Sequence, residues 1–301
     1  MRKLRLALIV AETNEYQREQ TKAAVGVARQ LGVELEILAI EDDAIVQSQR
    51  ILKLLQSPAE TRCEGILFEP VGTPLAQAAQ LAASVGVGWV VLNRGADYIA
   101  ALRTSFPKTP MFSVSTSHTD VGRIQGEQIR SLLPNGGTVL LIQGPSSNLA
   151  AAQRTTGMEL AKPASVEVHS IRGHWSELSG YKAANAWLKL SSSQQLGVRV
   201  VAAQNDAMAL GARKAFQEMK EGGKRGSWLD VAFIGCDGLP AVGQSAVHKG
   251  LLAATVVIPP NAGTALEAMV RALRTGVQPA ETMFVAPASH PPASSLKPLG
   301  S

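Results

Sequence analysis

The sequence predicts an α/β protein built as two doubly wound parallel-sheet lobes, and three observations predict it. Short runs rich in Val, Ile and Leu alternate with longer segments of helical period from one end of the chain to the other, the pattern of parallel sheets covered by helices. There are eleven such runs, more than the ~10 strands at which strongly twisted open sheets stop growing, and 301 residues suit about two domains of ordinary size. Proline-marked stretches at 98–110, at Pro259-Pro260 and at Pro287 supply three crossings, so the lobes interleave in sequence. The expected lobes are 1–114 with 259–285 and 115–258 with 286–301, joined by a three-strand hinge near Val114, Ile258 and Val285.

The strand-like runs fall at 4–10, 34–40, 65–69, 88–92, 111–114, 138–142, 166–171, 198–202, 231–235, 253–257 and 282–285. Between most of them a helix is expected. In the first, Gln20, Ala23, Ala24, Val27, Ala28 and Leu31 recur at helical spacing and set one apolar stripe against a sheet, and Gly32 stops it. Trp187 and Phe216 lie within helical periods and read as core. The tail from Ala288, rich in Pro and Ser, reads as a strap or a frayed end.

Composition removes several function classes. Hydrophobic residues make up 46% and charged residues 18%, which excludes long disordered charged regions. No run approaches the ~18 to 20 apolar residues of a membrane span, so no membrane insertion is expected. Net charge is +5, but outside Arg2-Lys3-Arg5 and the stretch 220–225 the basic residues are scattered. With no basic helix interleaved with aromatics and no helix-turn-helix before the first strand, no direct nucleic-acid contact is expected. Cys63 and Cys236 stand far apart and in no metal-like spacing, so neither a disulfide framework nor a metal is expected, and no cofactor motif is present. Gly86-Val87-Gly88 precedes its strand and lacks the third glycine of a dinucleotide fingerprint. There is no Gly-x-Ser-x-Gly elbow, His-Glu-x-x-His or P-loop, so an enzyme is not expected. The weaker alternative is an α/β hydrolase or transferase using Glu69 and Asp237 as an acid/base pair across a cleft.

Ligands of open parallel sheets bind beyond the carboxyl ends of the strands. At those positions stand Thr13, Asn14, Tyr16 and Gln17, then Glu69, then Asn93 with Arg94. In the second half come Thr116, Ser117 and His118, the loop 144–148 leading to Arg154, His174 with Trp175, Asn205 with Asp206, and Asp237. Aromatics are only 4% of the chain, yet Tyr16 and Trp175 fall in short loops where no core demands them. Aromatic faces beside Arg, Asn and carboxylate groups fit a polyhydroxylated ring, whose C–H faces pack on flat rings while each hydroxyl donates and accepts. Tyr16 and Trp175 are expected to face each other across a cleft.

Structural roles compete at several positions. Arg154 fits either a surface ion pair or the cleft, and the Arg-x-x-Gly context favours the cleft. Asp206 opens a helix and reads as its cap, leaving Asn205 to point at ligand. Asp237 fits a cap for a helix beginning near Leu239 or a ligand contact. The loop 144–148 fits an anion cradle or, more commonly, a capped turn. His118, with no Cys or Asp in ligand spacing, reads as a rim residue.

The whole chain resembles periplasmic sugar-binding proteins of the ribose-binding type, whose fold is shared with the effector domains of lactose-repressor-type regulators. The residues that carry the resemblance are Gln204-Asn205-Asp206-Ala207-Met208-Ala209-Leu210-Gly211-Ala212, Val231-Ala232-Phe233-Ile234-Gly235-Cys236-Asp237-Gly238, Gly250-Leu251-Leu252-Ala253-Ala254-Thr255-Val256, Arg154-Thr155-Thr156-Gly157 and Asn93-Arg94. The resemblance implies that Asn14, Tyr16, Arg94, Thr116, Arg154, Trp175, Asn205 and Asp237 line a cleft between lobes that close on a sugar-like ligand. It also implies a membrane partner, either an ABC-type permease or a sensor, with a cytoplasmic effector-binding domain of a regulator as the alternative. The chain departs from the family at Asn93, where an aspartate is usual, at Cys236, where an aromatic is usual, at Ile258 for a glutamine and at Glu69 for an asparagine. These departures leave an amino sugar, a cyclitol or another polar small molecule open beside a plain pentose or hexose. The compartment expected is periplasmic if a signal peptide has been removed and cytoplasmic otherwise.

Overall fold

A computed structural model describes the chain except residues 1–2, 12–13, 42, 73–74, 191–195, 222–230 and 301. Thr13 and the basic residues Arg2, Lys224 and Arg225 therefore lie outside the described residues. In chain order the elements are β1 (Arg5–Ala11), α1 (Glu15–Leu31), β2 (Glu34–Ile40), α2 (Ala44–Leu55), β3 (Gly65–Phe68), α3 (Ala76–Ser84), β4 (Gly88–Leu92), α4 (Ile99–Ser105) and β5 (Met111–Ser115). There follow α5 (His118–Leu132), β6 (Gly137–Gln143), α6 (Leu149–Ala161), β7 (Val166–Arg172), α7 (Glu177–Leu188), β8 (Val198–Ala203), α8 (Asp206–Glu221) and β9 (Ala232–Asp237). A π-helical turn (Pro240–Gln244) leads to α9 (Ser245–His248), β10 (Ala254–Val257), α10 (Ala262–Thr275), β11 (Thr282–Phe284) and β12 (Ala288–His290).

Two compact units divide the chain. The first comprises Met1–Thr116 and Pro260–Val285, the second Ser117–Pro259 and Ala286–Ser301. The first carries a six-stranded sheet in the order β11-β5-β4-β3-β1-β2, parallel throughout. The second carries β12-β10-β9-β8-β6-β7, parallel except where β12 runs antiparallel to β10. The two parallel-sheet α/β lobes expected from the sequence are thus present, and each of the eleven apolar runs coincides with a strand. The tail is not a frayed end: Ser289 and His290 pair in register with Val256 and Thr255 at the sheet edge. Beyond them Leu296 and Leu299 pack on the core while the Leu299 amide donates to the Leu132 carbonyl at 2.9 Å, which is the strap of the expectation.

Local chemistry explains the elements. β3, β4 and β5 are buried along their whole length, as central parallel strands covered on both faces must be. Helix α1 ends where Gly32 takes a left-handed φ of 66°, which costs a residue without Cβ nothing. Trp187 and Phe216 are core, their rings stacked 6.2 Å apart. In the second unit α5 and α6 approach backbone to backbone. A Cβ at Gly122 would lie 2.0 Å from the Arg154 carbonyl oxygen, and one at Gly157 would lie 2.0 Å from that of Thr119. The glycine of the Arg-x-x-Gly sequence therefore fixes the helix that carries Arg154.

Candidate functional site

In the second unit the strand-end groups converge on Arg154. Helix α6 is capped by Asn148, whose Oδ1 accepts from the Ala151 amide at 3.2 Å, so the loop 144–148 is a capped turn. The Gly144 amide donates to Gln204 Oε1 at 2.9 Å, which removes it from any anion cradle. Arg154 is only 7% exposed. Its Nη1 donates to the Gln204 carbonyl, its guanidinium carbon lies 5.8 Å from the Trp175 ring centroid, and its Nε has no hydrogen-bond partner among the described residues. Asp237 Oδ1 stands 3.9 Å from Nη1, near enough for charge attraction and too far for a hydrogen bond. This guanidinium is not the exposed surface pair of the alternative reading. The half-buried Trp175 ring lies against Gly144, where a Cβ would come within 2.1 Å of it.

Asn205, not Asp206, caps α8, while Asp206 keeps the structural role expected of it by another route. Asn205 Oδ1 accepts from the Met208 amide at 2.9 Å and caps α8, while its Nδ2 donates to the Trp175 carbonyl at 2.8 Å. Asp206, the first residue of α8, caps nothing. One carboxylate oxygen accepts from Thr255 Oγ1 at 2.6 Å and the other from the Gly238 amide at 2.8 Å, tying α8 to β10 and to the loop after β9. Burial, and after it the negative charge of Asp237, hold the Asp206 carboxyl well above the usual carboxylate range; Thr255, Gly238 and Arg154 pull the other way. Cys236 is fully buried beside it, its thiol pushed up by burial, and its Sγ accepts from Gln125 Nε2 at 3.4 Å. His118 is 9% exposed in the first turn of α5, within the interior instead of at a rim.

The first unit arranges its strand ends differently. Asn14 Oδ1 accepts from the Gln17 amide at 3.0 Å and caps α1, with Tyr16 half-buried in the first turn. Glu69 follows β3 in a loop fastened by Gln47, whose Nε2 donates to the Glu69 carbonyl at 2.7 Å and whose Oε1 accepts from the Val71 amide at 2.9 Å. Arg94 reaches back to that same loop and donates to the carbonyls of Pro70 and Gly72, the latter at 3.2 Å. Its fork is therefore engaged as a brace, unlike the buried guanidinium of Arg154 with its unbonded Nε. Asn93 Oδ1 accepts from Asn261 Nδ2 at 2.7 Å and Gln20 Nε2 at 3.2 Å, and Gln20 in turn holds Asn261 Oδ1 at 2.9 Å and the Ala262 amide at 2.8 Å. Thr116 is 2% exposed at the end of β5, and its Oγ1 has no partner among the described residues.

Asn93, Trp175 and Asp237 share one property. They are the non-glycine residues among those described whose φ is left-handed, at 63°, 62° and 96°. Each such residue costs of order 1–3 kcal/mol, and strain of this kind collects at ligand sites. All three lie just beyond or at the end of a strand, and all three were picked out from the sequence.

Sequence reasoning missed the buried amides Gln20, Gln47, Gln125, Gln204 and Asn261, none more than 1% exposed, which hold the strand-end loops in place. Gln20 did leave a signal, as the polar member of the apolar stripe on α1. Among the described residues no group of three His, Cys, Asp or Glu is placed to hold a metal, and no helix is long and apolar enough to cross a membrane.

Comparison with known proteins now bears on this geometry. The family model described as periplasmic binding protein domain matches residues 7–276. The chain belongs to that family. Within it, the chain is 34% identical over 140 residues to the ribose import binding protein of Escherichia coli (strain K12), covering 46% of this chain and 44% of that one. It is 30% identical over 211 residues to a protein of Rhizobium meliloti named for rhizopine binding, covering 68% of this chain and 62% of that one. The matches thus span about half to three fifths of these relatives' lengths. Among solved structures, an ABC transporter periplasmic solute-binding protein from Actinobacillus succinogenes 130z with bound D-allose superposes with a TM-score of 0.81 at 19% identity, covering 95% of this chain and 97% of that one. That likeness is one of fold, and the periplasmic-binding-protein fold agrees with the lobes derived from the strand pattern.

Proposed function

We propose that this periplasmic binding protein domain takes up a sugar or sugar-like polar small molecule at the strand ends of both units, for ABC-type import or for sensing, and releases it unchanged. The observation that carries the reading is the Arg154 cluster: a buried guanidinium with an unused donor, a tryptophan face and a carboxylate, on a backbone strained at Trp175 and Asp237. Arg154 supplies charge-assisted donors to vicinal hydroxyls, Asp237 accepts from them, and Trp175 packs on the C–H face. From the first unit Tyr16, Glu69, Asn93 and Thr116 complete the ligand's contacts, while Asn14 and Arg94 shape the loops that carry them. Asn205 acts through Trp175, whose carbonyl it holds. Contacts from both units favour the closed state by hinge motion. The partner is a membrane permease or sensor, and the compartment the periplasm. The relatives named for ribose and rhizopine, and the structure with D-allose, support the ligand class.

Thermal-shift screening of pentoses, hexoses, amino sugars and cyclitols, followed by calorimetric titration, tests the reading. A saturable ligand is expected, with Arg154→Ala weakening it ~30- to 1000-fold. Undiminished affinity in that variant, or conversion of the ligand into a product, overturns it.

A further inference from the structure

A second set of charged groups gathers in the first unit, away from the strand ends already described. A cavity of about 360 Å³ opens at the amino ends of β1 and β2, between β2, α2 and the segment that follows α2. Leu38, Leu54 and Cys63 line its apolar part. Burial pushes the Cys63 thiol up to about 11, so it presents a neutral surface. Glu34 and Glu36 stand on one side of β2, where alternate residues share a face. Arg50 and Lys53 stand one helical turn apart on α2. Arg5, first residue of β1, is held by bonds from Nη2 to the carbonyls of Glu60 at 2.8 Å and Arg62 at 2.9 Å.

Acids and bases lining one cavity ordinarily pair with each other. Here none of the side chains of Glu34, Glu36, Arg50 and Lys53 makes an ion pair or hydrogen bond to a described residue, and strand and helix hold the two rows apart. We propose that the first unit carries a second small-molecule site here, for a zwitterion with a short aliphatic body, the chemistry of a free amino acid. The ammonium group faces Glu34 and Glu36, the carboxylate faces Arg50, Lys53 and Arg5, and the hydrocarbon body covers the leucines. A simple anion meets the glutamates and a simple cation meets the arginines, so each is held by one row and repelled by the other. The volume falls within the ~300 to 1000 Å³ of small-ligand sites.

The test uses three probes on the full chain, followed by nuclear magnetic resonance shift titration: L-leucine, pentanoate as the carboxylate alone and pentylamine as the amine alone. L-leucine is expected to saturate with a dissociation constant below ~5 mM, the other two binding at least about tenfold more weakly. The surface variants Glu36→Lys and Arg50→Glu are each expected to weaken L-leucine at least about tenfold, and Arg154→Ala to leave it unchanged. Absence of saturation by L-leucine overturns the proposal. So does equal binding of pentanoate or pentylamine, which marks a simple ion site. Loss of binding in Arg154→Ala, with both surface variants binding normally, also overturns it by placing L-leucine at the strand-end cluster; failure at this cavity leaves the sugar reading untouched.

Discussion

The two units solve the same problem with different rigidity. In the second, Arg154, the arginine proposed to meet the ligand, is 7% exposed, rides on a helix locked by glycine against its neighbour, and is surrounded by Gln204, Trp175 and Asp237. In the first, Arg94, which follows β4, is spent on two loop carbonyls, and Tyr16, Glu69, Asn93 and Arg94 are all partly exposed. Helices α1 and α10 pack with a looser glycine contact, a Cβ at Gly263 falling 3.3 Å from the Ala23 carbonyl oxygen. On the proposed reading, the difference teaches that the second unit would supply preorganised contacts, whose ordering cost is met at folding, while the first would supply contacts that settle when ligand arrives.

Four measurements break or sharpen that comparison. The largest effect is expected from Arg154→Ala against Arg94→Ala: ~2 to 4 kcal/mol of ligand affinity for the first and less than ~1.4 kcal/mol for the second, read by calorimetry. Equal losses remove the asymmetry. Because Arg154 is buried beside Asp206 and Asp237, its removal also lowers the stability of the unliganded protein by about 1 to 3 kcal/mol.

Next in size, Gly157→Ala drives a methyl into the Thr119 carbonyl and is expected to cost about 3 kcal/mol in chemical denaturation, with ligand affinity falling as α6 shifts. A cost below ~1 kcal/mol means that the α5–α6 contact yields and the rigidity argument fails.

A smaller effect concerns pH. Asp206 binds its proton more tightly folded than unfolded, so the native state holds more protons and its stability falls as pH rises from the unfolded value, near 3.8, through the folded one. The slope contributed is at most about 1.4 kcal/mol per pH unit, and Asp206→Asn is expected to remove it from melts of the unliganded protein. An unchanged slope assigns the titration elsewhere.

The smallest effect reverses sign. Gly26 lies mid-helix in α1 with nothing within 4 Å of a Cβ, so Gly26→Ala is expected to stabilise by about 0.5 to 1 kcal/mol. A destabilisation shows the first unit to be as tightly packed as the second.

The architecture was readable because central parallel strands must be apolar on both faces, and uninterrupted Val, Ile and Leu runs have few other uses. Strand β12 was not, since three residues flanked by prolines carry no such run and gain their pairing only from β10. Arg154, Trp175, Asn93 and Asp237 stood out by chemistry and position alone. The brace role of Arg94 did not, because its acceptors are backbone carbonyls 22 and 24 residues away, and a carbonyl has no signature in sequence. That Asn205 and not Asp206 caps α8 escaped for a related reason. Both residues cap helices well, and only the Thr255 hydroxyl and Gly238 amide, brought in by later strands, decide which one does.

Neither unit is a continuous stretch of chain, and this sets the order in which the molecule can be made. The core between the first sheet and its outer helices includes Leu266, Met269 and Val270 of α10, packed on Leu6, Leu8 and Val90. The second sheet closes only when β12 arrives. At ~5 to 20 residues per second, the nascent first half therefore waits roughly 8 to 30 s for the helix that covers it. Through that interval the face of β3, β4 and β5 that α10 covers is without its lid, although α1 already packs on β1, which makes the growing polypeptide a client for holding factors and a slow candidate for premature collapse.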